Sequence, residues 1–183
     1  MKLITAVLFA ATCSLSLPAL AVDFVPDSVS IEGGASDSSP TVGMWRVGVQ
    51  WEAFKWFEGR SWTLVNYIDL SIGSWHAEDA GGSHDIGDIG LTPTLRLQKN
   101  GFGNFIPYAE IGIGFHGLTS TNITQHRQFS TNFQFGDHVG AGLRFGEGSK
   151  YDLSYRYQHL SNLSIESPNP GINFHQLRLQ YHF

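Results

Sequence analysis

Eight times along this chain, apolar side chains recur at every second position, and the positions between them hold small residues or charges. A period of two marks a β-strand, because successive side chains leave the backbone on opposite faces. The second such segment sets Trp45, Val47, Val49 and Trp51 against Arg46, Gly48 and Glu52. The fifth sets Phe105, Pro107, Ala109, Ile111, Ile113 and Phe115 against Glu110, Gly112 and Gly114. The last sets Leu177, Leu179, Tyr181 and Phe183 against Arg178. A soluble barrel hides its apolar face inside. A membrane barrel turns that face to lipid and keeps polar groups in its lumen. Both charge signs recur on the polar face here, at Asp69, Arg96, Glu110, Arg144, Asp152 and Arg156, so they can pair there.

The expected fold class is therefore all-β, an eight-stranded antiparallel transmembrane β-barrel whose lumen is filled by side chains. The strands are expected at 27–36, 41–54, 61–77, 85–99, 104–117, 132–146, 150–162 and 172–183. Each can cross a bilayer at a tilt, which takes roughly 9–11 residues. The connections Phe54–Ser61, Lys99–Asn104 and Gly146–Lys150 are fairly short. Those at Trp75–Asp85, Gly117–Thr131 and Asn162–Gly171 are mostly longer and rich in Ser, Thr, Asn and Gly. Bacterial outer-membrane barrels have short periplasmic turns and longer external loops, so both termini are expected on the periplasmic side. Trp45, Trp51, Trp56, Trp62 and Trp75 are candidates for interfacial aromatic girdles. The pairs Gly112/Gly114 and Gly140/Gly142 have strand spacing and read as space for interior side chains or as bends.

The first residues read as a secretory leader. Lys2 precedes a mostly apolar run, Ile4 to Leu17, and Ala19-Leu20-Ala21 fits a small-residue cleavage site. Cleavage after Ala21 assigns 1–21 to a signal peptide and 22–183 to the barrel domain. Cys13, the only cysteine, would leave with the leader, so no disulfide framework is expected. The formal charge of −5, without a basic cluster, argues against nucleic acid as a partner.

One strand breaks the apolar rule in an informative way. From Tyr151 its outward row runs Tyr151, Leu153, Tyr155, Tyr157, His159, Ser161. Polar, ionisable groups at a lipid boundary are costly and point to function. The topology puts His159 and Ser161 at the outer end of this strand, facing the outer leaflet. A serine hydroxyl becomes a nucleophile when an adjacent base takes its proton, and residues i and i+2 share a strand face. The bland reading is a polar rim. If Glu147-Gly148-Ser149 forms a three-residue turn, the register places Asp137 directly across from His159, making Asp137 a candidate acid. Glu166, in the last external loop, is a weaker one. The other histidines, His76, His84, His116, His126, His138, His175 and His182, show no metal-ligand spacing. No metal or cofactor is expected. No Gly-x-Ser-x-Gly elbow is present, which argues against an α/β-hydrolase.

His159-Leu-Ser-Asn162, then Pro168 to Asn173 and the terminal strand ending Tyr181-His-Phe183, together with the strand Phe135 to Gly146, resemble the lipid A 3-O-deacylase (PagL) family. The detailed resemblance covers roughly the last 50 residues, and the eight-strand plan extends it over the rest. It implies an outer-membrane hydrolase that removes the acyl chain at position 3 of lipid A, with Ser161 as nucleophile and His159 as general base. It also implies a requirement for Asn162, as an aid to the oxyanion. The family pattern has glutamate where this chain has Asn173. Asparagine can orient a histidine but cannot supply its charge. Either Asn173 is a weaker orienter, or the acid comes from elsewhere, with Asp137 as the alternative. The implied partner is lipid A within lipopolysaccharide, and the implied location the outer membrane; a homodimer stays open. The rival readings are a structural or adhesive barrel, a lipid-A-binding relative without turnover, and an esterase for another lipid.

Overall fold

The computed structural model describes residues 25–183. The expected leader, Cys13 and the expected cleavage point lie outside the described residues. The strands are β1 (Ser28–Ser36), β2 (Val42–Glu58), β3 (Trp62–Asp79), β4 (Gly82–Lys99), β5 (Ile106–Leu118), β6 (Asn122–Thr124), β7 (Arg127–Gln128), β8 (Phe133–Phe145), β9 (Tyr151–Ser161) and β10 (Ile172–His182). Eight of them close a barrel in the order β1-β10-β9-β8-β5-β4-β3-β2, and β6 pairs with β7 in a separate hairpin. Every barrel strand is antiparallel to both neighbours. Closure leaves no strand edge with unanswered amides, which a sheet standing in lipid requires.

The skin is apolar, as expected: Val47, Ile72, Ile89, Ile111, Val139 and Leu177 are all exposed on the outer wall. The lumen holds the charges. Arg46 reaches Asp88 at 2.7 Å and Glu32 at 3.2 Å. Arg96 bridges Glu110 at 2.8 Å and Asp152 at 3.0 Å. Arg156 bonds Glu110 at 2.7 Å and lies 3.6 Å from both Glu32 and Asp69. Arg178 meets Asp69 at 2.6 Å. A void of about 30 Å³ between Glu32, Arg46, Asp69, Arg156 and Arg178 has room for a water or two, not for a channel. The interior glycines make way for bulk, as their spacing suggests. A β-carbon at Gly112 would strike the ring of His138, and one at Gly142 would strike Tyr108.

At the end bearing the loops 119–132 and 162–171, called outer below, the polarity inverts. Val42, Met44, Trp75, Ala77, Ile86, Leu118, Leu160, Ile172 and Phe174 point inward and pack with Ile123 and Phe129 of the β6–β7 hairpin region. Here the wall rises above the expected lipid band, so the ordinary soluble arrangement returns, with apolar groups inside. This corrects two expectations. Trp75–Asp85 is not a loop, because β3 and β4 pair throughout it to Asp79 opposite Gly82. Nor is Trp75 a girdle residue. It is fully buried, tilts against Phe174 at 5.0 Å and donates Nε1–H to Asp88 at 3.2 Å. The outward-apolar pattern disappears where the inversion begins, which is why the strands look shorter in sequence. Trp45, Trp56 and Trp62 do face outward. The β6–β7 hairpin had no signal strong enough to read.

Arg156 answers three carboxylates at once, so Arg156→Ala is expected to destabilise the barrel by about 3–5 kcal/mol, the cost of stranding buried charge. Urea unfolding in lipid vesicles, with Lys150→Ala as an exposed control, checks this.

Candidate functional site

β9 positions the site. Its outward row ends with half-buried His159 and then Ser161, and its inward neighbours Leu160 and Gln158 are buried. The three-residue turn Glu147–Ser149 sets the β8–β9 register, and Asp137 falls opposite His159, as the spacing predicts. Phe135 falls opposite Ser161. From the other side, β10 puts Asn173 opposite His159 and His175 opposite Tyr157. His159 therefore stands in a row across three strands, Asp137–His159–Asn173.

Only one of those two neighbours bonds to the imidazole. Nδ1 of His159 lies 2.6 Å from Oδ1 of Asn173. The amide nitrogen of Asn173 donates to Oδ2 of Asp37 at 3.0 Å, just beyond β1. Tyr157 directs its hydroxyl to the same oxygen at 3.4 Å. A carboxylate cannot donate, so Nδ2 of Asn173 must face Asp37 and Oδ1 must face His159. An amide oxygen accepts only, so Nδ1 of His159 carries the proton. In the neutral imidazole that tautomer leaves Nε2 with its lone pair, the form a general base needs.

Gly171 (φ +59) brings backbone against this ring, since a β-carbon there would lie 2.8 Å from Cε1 of His159. Position 171 must be glycine on both counts. Ser161 is mostly buried, but its Oγ is not sealed off, and among the described residues it has no hydrogen-bond partner. His159 and Ser161 are i and i+2 on one face, roughly 6.6 Å apart along the strand, and no hydrogen bond joins imidazole and hydroxyl among the described residues.

Asp137 is exposed and forms no hydrogen bond with His159 among the described residues. Asn162 is fully buried. Its amide donates to Ser130 Oγ at 2.8 Å and to the Glu166 main-chain carbonyl at 2.9 Å, and its own N–H donates to Asn169 Oδ1 at 3.0 Å. In this arrangement Asn162 ties the outer loops together, and its donors are already engaged. Glu166 takes part through its carbonyl. After Asn162 the chain turns through two non-glycine residues at positive φ, Leu163 (+53) and Ser164 (+60). Such strain collects where function holds the backbone in place.

Beside Ser161 the wall is aromatic: Phe133 meets Phe135 at 5.0 Å, and Phe115 meets Phe135 at 5.9 Å. Asp37 went unnoticed in the sequence, where it is one polar residue among the serines of a short loop. Only the β1–β10 closure brings it to the site.

A closed eight-stranded barrel with an apolar outer wall and ion pairs in its lumen belongs to the class of integral β-barrel membrane proteins. Residues 43–182 match the family described as lipid A 3-O-deacylase (PagL). The lipid A deacylase PagL of Bordetella bronchiseptica is 41% identical over 126 residues, which cover 68% of this chain and 67% of that protein. The protein of that name from Pseudomonas aeruginosa is 29% identical over 152 residues, covering 78% and 84%. The crystal structure of the outer membrane enzyme PagL aligns with a TM-score of 0.73 at 25% identity, covering 85% of this chain and 99% of that one. The chain belongs to the lipid A 3-O-deacylase (PagL) family.

Asn162→Ala is expected to loosen the loop 162–171 while the barrel stays closed, at a local cost of about 1–3 kcal/mol for the orphaned loop groups. Amide exchange confined to 119–132 and 162–171 is the expected signature; uniform loss of protection would point to a global role.

Proposed function

We propose that this chain is an outer-membrane lipid A 3-O-deacylase that works as a serine esterase, with Ser161 as nucleophile and His159 as general base. The observation that carries the reading is the His159–Asn173 contact on the lipid-facing wall beside Ser161, in a chain of this family. Nε2 of His159 takes the proton of Ser161 as Oγ attacks the ester carbonyl. The tetrahedral intermediate collapses, the sugar oxygen leaves with the proton from His159, and the acyl group stays on Ser161. Water, activated by the same imidazole, then frees the fatty acid and restores the hydroxyl.

The position suits this chemistry. The substrate cannot leave its leaflet, so the nucleophile must face outward. The ester lies at the headgroup boundary, where water for the second step is at hand. The phenylalanines 115, 133 and 135 offer an apolar wall for the departing chain. One observation favours the rival, a lipid-A-binding barrel without turnover: the group on Nδ1 of His159 is an amide rather than a carboxylate.

Mass spectrometry of lipid A after incubation with the refolded protein separates the two. Loss of one 3-hydroxyacyl chain with the native serine, and none with Ser161→Ala, is the expected result. A closed barrel that leaves lipid A intact would favour the rival, and release of acyl chains from phospholipid instead would change the substrate.

Within the site, Asn173→Ala is expected to lower the rate more than Asp137→Asn, because only Asn173 bonds the imidazole. A larger loss from Asp137→Asn would transfer the orienting role to Asp137.

A further inference from the structure

We propose that Asp37 is a positioning residue of this site: through Asn173 it fixes the tautomer of His159 and lends the imidazole the negative charge that position 173 cannot carry. The proposal rests on the esterase reading above for its role in catalysis, but not for its geometry.

An asparagine amide can turn over at little cost, and turned over it would present N–H to His159. That would force the proton to Nε2 and remove the base. What prevents this is an acceptor-only partner on the far side of the amide. Asp37 is that partner, 3.0 Å from Nδ2. Its place is held by its own backbone, whose N–H donates to the Asn173 carbonyl at 3.3 Å, and by the Tyr157 hydroxyl. The carboxylate thus lies two hydrogen bonds from Nδ1 of His159. When Ser161 gives up its proton, positive charge develops on the ring, and the nearest carboxylate linked to it by hydrogen bonds is Asp37.

Other charged or titratable groups around His159 come from each flanking element. Asp137 faces it from β8 without a bond, and Tyr157 shares its strand. His175 on β10 is bonded to Tyr155, and Arg127 of β7 donates to the Gly171 carbonyl at 2.6 Å. Glu166 lies in the next loop. None of these hydrogen-bonds the Asn173 amide among the described residues, so Asp37 is the group that holds its Nδ2.

Asp37 is exposed, so its variants should fold. Asp37→Asn keeps an acceptor and loses the charge; Asp37→Ala loses both. The first readout needs no activity. With ¹⁵N-labelled histidine in the Ser161→Ala protein, the His159 ring is expected to be protonated on Nδ1, and Asp37→Ala is expected to shift it toward a mixture of tautomers. An unchanged Nδ1–H population in Asp37→Ala would overturn the proposal, whatever the enzyme does. The second readout is kinetic. Asp37→Ala is expected to lower kcat on the order of tenfold to a hundredfold, the scale on which a functional histidine feels loss of its partner, with KM little changed. Asp37→Asn is expected to keep more of the Nδ1–H population than Asp37→Ala, because it keeps an acceptor for the Asn173 amide. Asp37→Glu should restore part of the rate. With Asn173→Glu, which places a carboxylate directly on Nδ1, the effect of Asp37→Asn should shrink to about twofold or less. An equal loss in both backgrounds would mean a structural role and would overturn the proposal. Absence of deacylation in the native protein would instead fail the esterase reading and leave the ring spectrum as the deciding test.

Discussion

Inside a bilayer no water answers a backbone amide or a guanidinium, and the rest of this molecule depends on that constraint. The backbone answers it by closing, β1 onto β10, so that every barrel strand has two partners. The side chains answer it with a web of ion pairs. Four buried arginines (46, 96, 156, 178) stand among five buried carboxylates (32, 69, 88, 110, 152). Each arginine reaches at least one carboxylate within 3.0 Å. A buried pair need not add stability over an apolar one of equal volume, but losing one member is costly. The web therefore acts as a constraint on register, since sliding any strand by one residue would put charge into lipid and leucine into the lumen.

Where the wall rises above that band, the constraint lapses. The lumen fills with Trp75, Phe174, Leu160 and Ile172 in place of ion pairs, and the β6–β7 hairpin region closes over them. The candidate site lies on the outer surface of this apolar stretch. Leu160, between His159 and Ser161, and Ile172 and Phe174, on either side of Asn173, point the other way into the packed core. The site's residues are thus carried on strands clamped from behind, a firmer mounting than loops provide.

Much of this was legible in the sequence because it is local. Alternation showed which face meets lipid, and the three-residue turn allowed the β8–β9 register to be counted as far as Asp137 and His159. The outer limits of β3 and β4 were not legible, because the sign of the alternation changes at Trp75 and a reader following one sign sees a loop. The partner of Asn173 was not legible either. Asp37 lies 136 residues away and arrives only when the first strand closes on the last, a juxtaposition no periodicity records. Nor could the sequence show that the amide hydrogens of Asn162 are engaged by Ser130 and the Glu166 carbonyl, since that depends on how two loops meet.

The exterior location explains why the orienting groups take this form. A carboxylate in direct contact with His159, as in the family pattern at position 173, must shed water on one side while facing acyl chains on the other, a cost offset only by its pairing with the imidazole. An amide carries no such penalty, and it can pass the influence of a charge held farther out. Asp37, on the loop beyond β1 at the wet end of the barrel, keeps its solvation and still accepts from Asn173. Charge stays in water, polarity crosses the boundary, and the imidazole meets the lipid. The arrangement divides between two residues what a single acid does elsewhere, and the division follows the dielectric gradient of the membrane surface.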